Sequence, residues 1–200
     1  TASTRGRVSG CFTPDARMFS DGGSHVSVAD LLRGMIGQSG NDASVALAEH
    51  IGGSEEKFVE RMNQTAQALG LKDSFWTNAN GVPDEQLHTS AHDLGVLARA
   101  LIHDFPEDYG LFSEREFTYN KIVQHNRNQL LDRDPSVDGR KTGHKDKAGY
   151  RRVTAGRRGG RRALSGSRSP EERRERTPPR AAAEPGLCVS GRGGGAVRGW

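Results

Sequence analysis

Residues 36–47 read IGQSGNDASVAL, and their reading decides the fold: two helical stretches are separated by three small polar residues where one unbroken helix would bury the same apolar face. Upstream, Ser27 followed by Asp30 is a capping-box pattern, and Val28, Leu31, Leu32, Met35 and Ile36 keep helical spacing up to a break at Gly37-Gln38. Downstream, a second helix is predicted to start at Asn41 or Asp42, to run through Val45, Ala46 and Leu47, and to end at Gly52-Gly53. Taken alone, Ser39, Gly40 and Asn41 are accounted for by a plain helix–loop–helix corner, since Ser and Asn are favoured N-caps and Gly a favoured stop.

The same local signals continue outward. Ser54 is predicted to cap a third helix with Glu55 and Glu56 in its first turn and Phe58, Val59, Met62, Ala66 and Leu69 on its apolar face, stopped by Gly70. In SFWTNANGVPDEQ, Phe75 and Trp76 read as a short extended piece, and Asn80-Gly81 and Pro83-Asp84 as turns. Ser90 with Asp93 repeats the capping pattern before Leu94, Leu97, Ala98, Leu101 and Ile102, a fourth helix ending near Phe105-Pro106. The period then changes: EFTYNKIVQ alternates as a strand does, and HNRNQLL leads through Val137-Asp138-Gly139 into Lys141-Thr142-Gly143.

Charge divides the chain. Residues 1–150 carry a net charge of −5 and residues 151–200 a net charge of +9, the latter from 13 Arg against 4 Glu. In that last segment Arg, Gly, Ala and Pro fill 33 of 50 positions, and the only large apolar residues are Val153, Leu164, Leu187, Val189, Val197 and Trp200, too few to offset the entropy of ordering it. Its arginines have no interleaved aromatics before Trp200, which argues against nucleic-acid binding by stacking. Cys11 and Cys188 suggest neither a metal site nor a disulfide, and no cofactor is expected. No run of 18 apolar residues is present, and the N-terminus carries no apolar signal core.

Lys141-Thr142-Gly143 after an extended stretch, together with Ser39-Gly40-Asn41 on a helical loop, makes two of the three motifs of penicillin-recognising serine enzymes. A Lys and a Thr hydroxyl on a strand edge can hold a peptide's terminal carboxylate, and Gly leaves room for that peptide to lie alongside by strand addition. The segments VSVADLLRGMIGQSGNDASVALAEHIGGSEEKFVERMNQTAQALGL, FWTNANGVPDEQLHTSAHDLGVLARALIHDFPE, FTYNKIVQHNRNQLL and VDGRKTGHKDKAGY resemble, in order, the D-alanyl-D-alanine carboxypeptidases of the low-molecular-mass penicillin-binding type.

The resemblance implies an α+β fold of the serine β-lactamase and DD-peptidase type, here incomplete: a helical subdomain over about 26–105 and part of the antiparallel sheet. It implies removal of the terminal D-alanine from peptidoglycan stem peptides ending in D-Ala-D-Ala, recognition by β-lactams, and a place at the cell envelope, periplasmic or on the outer face of the cytoplasmic membrane, with membrane attachment only through a C-terminal anchor that this sequence lacks. By the same resemblance Ser39 would relay a proton between leaving amine and catalytic base, and Asn41 would donate its amide to the substrate and help place a lysine. Lys141 and Thr142 would bind the terminal carboxylate beside Gly143, and the backbone N–H of His144 would form half of an oxyanion hole.

Two departures accompany it. The family's Ser-x-x-Lys, which holds the acylated serine and its base, has no counterpart in TASTRG, where Gly6 stands in the lysine place, so no nucleophile is assigned and the chain alone is expected to be inactive. After Tyr150 the sequence turns to RRVTAGRRGGRRALSGSRSPEERRERTPPR rather than further apolar strands. The expected division is therefore an irregular segment 1–15, a partial catalytic domain 16–150, and a disordered or out-of-frame Arg/Gly-rich tail 151–200. The alternatives to a carboxypeptidase are a non-catalytic fragment whose basic tail binds polyanions, and a class A-like β-lactamase.

Overall fold

The computed structural model of the chain describes residues 2–3, 17–18, 20, 23–145, 149–158, 161–169 and 189–190. A short antiparallel pair, β1 (Ala2–Ser3) with β2 (His25–Val26), precedes helix α1 (Val28–Gly37). Ser27 caps α1: its hydroxyl accepts from the Asp30 N–H at 3.0 Å and donates to the Asp30 carboxylate at 2.7 Å, so the box closes through the hydroxyl. Helix α2 (Asn41–Gly52) follows within three residues and ends where Gly53 turns left-handed at φ 81° and donates its N–H to the Glu49 carbonyl at 2.8 Å.

Every residue of α2 from Asn41 to Ala48 is buried. Small side chains at Ala43, Ser44, Ala46 and Ala48 let α1 and the next helix, α3 (Glu55–Ala68), approach its two sides. The main apolar core lies here, formed by Met18, Val26, Leu31, Ala43, Ala46 and Leu47, with Val28, Leu32, Met35, Phe117 and Tyr119 against it. Ser54 caps α3 through the Lys57 N–H, as its position before two glutamates predicts.

The connection to helix α4 (Ala91–Asp104) is irregular but pinned by polar side chains. Asn63 grips the Trp76 backbone from both sides, accepting its N–H at 2.9 Å and donating to its carbonyl at 2.7 Å. Phe75 pairs with His88 in an isolated antiparallel bridge. Ser90 caps α4 through the Asp93 N–H, and the Asp93 carboxylate, 2 % exposed, also ties the helix to the loop: one oxygen accepts from the Asp73 N–H and the Ser74 hydroxyl, each at 2.8 Å.

A 3-10 turn (Asp108–Ser113) leads to β3 (Glu116–Tyr119) and β4 (Ile122–His125). The stretch EFTYNKIVQ, expected to be one strand, is thus a hairpin. Its two-residue turn, Asn120 at φ 49° and Lys121 at φ 62°, carries both residues in the left-handed region, which Asn tolerates and Lys does not advertise. After the single-turn helix α5 (Leu130–Arg133) the chain enters a four-stranded sheet, β5 (Val137–Lys145), β6 (Gly149–Arg158), β7 (Arg161–Ser169) and β8 (Val189–Ser190), in that spatial order; β5, β6 and β7 are antiparallel and β8 parallel to β7.

The domain boundary expected at residue 150 is therefore corrected: the sheet runs on through β6 and β7 to Ser169. Helix α4 packs on β6 and β7, where Thr154, Ala155 and Leu164 are buried, so a strand made mostly of Arg, Gly and Ala is held by its ladder and by a few small or apolar residues under one helix. Most of the tail beyond Ser169, and residues 4–16, lie outside the described residues.

Burial alone would raise the Asp93 carboxyl's pKa, but the hydrogen bonds from Ser74, the Asp73 N–H, His92 and Ser90 outweigh it and leave it below the usual aspartate value. A depressed native pKa adds stability that is fully present above the unfolded value near 3.9 and is lost as pH falls through the lower native value. Asp93→Ala is expected to cost about 2–3 kcal/mol at pH 7, since it strands buried donors. Urea denaturation of the chain from pH 7 to 3 checks both points: Asp93→Asn should lessen the loss of stability at the acid end.

Candidate active site

The corner between α1 and α2 is built by a doubly used carbonyl. The Gly34 oxygen accepts the N–H of Gln38 and that of Gly40, each at 3.1 Å, closing residues 34–40 on one carbonyl with the residue between the two donors turned left-handed. That residue is Ser39, at φ 54°, where glycine is the usual occupant. The N-cap of α2 is Gly40, with no side-chain cap bond, and Asn41 is already the first helical residue. Neither Ser39 nor Asn41 caps a helix here, so the plain-corner account of Ser39-Gly40-Asn41 does not hold.

Asn41 is 3 % exposed, and its side-chain nitrogen has no hydrogen-bond partner among the described residues. A buried amide N–H₂ left open costs about 1–3 kcal/mol. Beside it, Asp42 accepts from the Met18 N–H at 3.0 Å, from the Ser20 N–H at 3.2 Å and from the Ser20 hydroxyl at 3.1 Å. The far side of that segment is held by Gln124 of β4, whose amide donates to the Met18 carbonyl at 3.0 Å. Asp42 and Gln124 were not singled out from the sequence; the one available signal was an acidic residue inside a helix face that is otherwise apolar or small.

The corner is also tied to the chain leading to the sheet. Arg127 donates its backbone N–H to the Gly37 carbonyl at 3.1 Å, and Gln38 donates its side-chain amide to the His125 carbonyl. Arg33 of α1 binds both oxygens of Glu114, at 2.9 and 3.2 Å; that bond, ahead of the opposing effect of burial, holds the guanidinium pKa above its ordinary value. From Arg127 the chain passes through α5, where Leu130 and Leu131 pack on Val137 at the start of β5.

Lys141, Thr142, Gly143 and His144 lie on β5, in register with Val153, Arg152, Arg151 and Tyr150 of β6. Within the described sheet β5 is the edge, so its other side is unpaired among the described residues. Its base is fixed by Tyr109 and Phe112 of the 3-10 turn, stacked at 5.5 Å, which press against Gly139 where no side chain would fit. The predicted residues thus fall into two groups: Ser39 and Asn41 together at the corner, and Lys141 to His144 together on the edge strand, the two linked by the 125–137 segment.

A literal Ser-x-x-Lys does occur, Ser54 to Lys57, and the structure gives it other work. Ser54 caps α3, at the far end of α2 from Asn41, which a helix of 12 residues places about 17 Å away. A base at that distance cannot exchange protons with Ser39.

Residues 1–166 match Peptidase_S11, the D-alanyl-D-alanine carboxypeptidase family, and the chain belongs to it. It is 49 % identical over 145 residues to the D-alanyl-D-alanine carboxypeptidase DacA of Haemophilus influenzae, covering 72 % of this chain and 37 % of that protein. Among solved structures, penicillin-binding protein 6B of Escherichia coli superposes with a TM-score of 0.71 at 41 % identity, over 82 % of this chain and 52 % of that one. Penicillin-binding protein D2 of Listeria monocytogenes, in its cefotaxime-bound form, superposes with a TM-score of 0.63 at 32 % identity, over 68 % and 56 %. The fold is the DD-peptidase fold implied by the resemblance, and the chain spans about two fifths of the length of the curated relatives it matches.

The left-handed Ser39 is a strained choice that glycine would relieve. Ser39→Gly is expected to stabilise the chain by about 0.5–1 kcal/mol, and Ser39→Val, β-branched at the same φ, to destabilise it by more than that gain. Thermal denaturation of the two variants beside the parent chain measures both.

Proposed function

We propose that this chain supplies the corner and edge-strand parts of a serine-type D-alanyl-D-alanine carboxypeptidase that removes the terminal D-alanine from peptidoglycan stem peptides. The observation that carries the reading is the open, buried Asn41 amide beside a strained Ser39 in a chain of the Peptidase_S11 family. The substrate anion, the carboxylate of the last D-alanine, binds Lys141 and Thr142 while the peptide lies along the edge of β5 that is unpaired among the described residues. Asn41 donates its amide to the substrate, and the His144 N–H stabilises the oxyanion as the carbonyl between the two alanines becomes tetrahedral.

In acylation a serine oxygen bonds to that carbonyl carbon, the C–N bond breaks, and the departing D-alanine amine takes a proton that Ser39 relays from the base. Water then hydrolyses the ester. The acylated serine and its lysine are not assigned to any residue of this chain. A β-lactam presents the same carbonyl beside a carboxylate, so it acylates the same site. Because stem peptides lie outside the cytoplasmic membrane, the enzyme works at the cell envelope; among the described residues no helix is long and apolar enough to cross a membrane.

The test uses the whole product of the gene that encodes this chain. Covalent labelling by a fluorescent penicillin and release of D-alanine from a D-Ala-D-Ala peptide are expected. Absence of both overturns the reading in favour of a non-catalytic product, and penicillin hydrolysis faster than peptide cleavage overturns it in favour of a β-lactamase. In the labelled protein Lys141→Ala is expected to lower kcat/KM for the peptide by about 10- to 100-fold, the worth of one charge-assisted hydrogen bond, with little effect from Arg140→Ala, since successive strand positions alternate between faces. Equal losses from both substitutions overturn the assignment of Lys141.

A further inference from the structure

We infer that Asp42 is a positioning residue for this site, setting the places of Ser39 and Asn41 by clamping α2 to Met18 and Ser20; the inference rests on the function proposed above.

The geometry is specific. The two carboxylate oxygens take four donors: Met18 N–H and Ala43 N–H on one, at 3.0 and 2.9 Å, and Ser20 N–H and hydroxyl on the other, at 3.2 and 3.1 Å. Asp42 is 9 % exposed and Met18 fully buried, so these bonds act away from bulk water, where a carboxylate is tolerated only when it is this well satisfied. The segment it holds is fixed from two further directions, by Gln124 at the Met18 carbonyl and by α1, where the Met18 side chain fills the space that any side chain on Gly34 would need.

The carboxylate reaches the corner through Gly40. A Cβ on Gly40 would fall 3.0 Å from the Asp42 carboxylate, 3.1 Å from the Gly34 carbonyl and 3.3 Å from the Met18 N–H. Gly40 therefore lies beside the clamp with no room for a side chain between them, and its chain neighbours are Ser39 and Asn41. The Ser44 N–H and hydroxyl, at 3.0 and 2.9 Å from the Gly40 carbonyl, hold the other side of the same residue. Asp42 touches no reacting atom; it acts by placing the two residues that do.

Asp42→Asn keeps the shape but turns one acceptor into a donor facing the N–H groups of Met18 or of Ser20. Ser20→Ala removes a single hydroxyl and leaves the other donors in place. Two readouts are taken on each variant: the limiting rate of acylation by fluorescent penicillin at saturating concentration in the whole gene product, measured well below each variant's Tm, and the side-chain NH₂ resonances of Asn41 by 15N–1H NMR in the 200-residue chain. A displacement of order 1 Å costs up to about 100-fold in rate, so a fall of about tenfold or more is expected for Asp42→Asn and about two- to fivefold for Ser20→Ala, each with shifted Asn41 resonances. A folded Asp42→Asn protein with the parental acylation rate and unmoved Asn41 resonances overturns the inference. Should Asp42→Asn not fold, Ser20→Ala decides: unchanged rate and resonances overturn it. A parent that takes no label overturns the function proposed above, whereas parental resonances of Asn41 in the variants overturn the clamp, so the two failures are distinguishable.

Discussion

The complete burial of the first two turns of α2 is the constraint from which the rest of the structure follows. A buried helix N-terminus has open N–H groups and no water to meet them, and here no side chain serves as N-cap. The fold answers with a carboxylate one residue inside the helix, which is itself kept in place by the N–H groups of Met18 and Ser20. The approach of that segment requires glycine at positions 34 and 40, and the closure at Gly34 in turn requires the left-handed residue between the helices. The interruption at Ser39-Gly40-Asn41 is thus the geometrical outcome of burying a helix end, with Ser and Asn placed where structure alone would ask for other residues.

Local chemistry in the sequence was enough to locate the helices. Ser27, Ser54 and Ser90 each cap as their spacing suggests, and Gly53 ends α2, because caps and stops depend on residues within one turn. The hairpin at Asn120-Lys121 was not legible, since a lysine gives no sign of a left-handed backbone. Strands β6 and β7 were missed for a different reason: composition counts side chains, while those strands are held largely by backbone pairing and by α4 lying over Ala155 and Leu164. Of the site, Ser39, Asn41 and the Lys141 strand were legible as motifs joined by a family resemblance. Asp42 and Gln124 were not, because their partners lie 24 and 106 residues away.

The two halves of the candidate site have different mechanical support. The corner is held by buried, multiply satisfied polar groups, while β5 is an edge steadied at its base by Tyr109, Phe112 and the small cluster of Leu130, Leu131 and Val137. An edge strand unpaired on one side among the described residues has the geometry to which a further strand could add.

The hydrogen bond from Gln124 to the Met18 carbonyl spans 106 residues, and the Arg33–Glu114 pair spans 81. During synthesis the helices α1 and α2 can coil as soon as they emerge, yet the strap beneath their junction gains its last support only after the hairpin has been translated. The nascent chain therefore carries the two helices with an unfinished joint for the time needed to add roughly seventy residues, on the order of 4–15 s at typical elongation rates. In kinetic terms the corner is a late-maturing part of an early-forming subdomain.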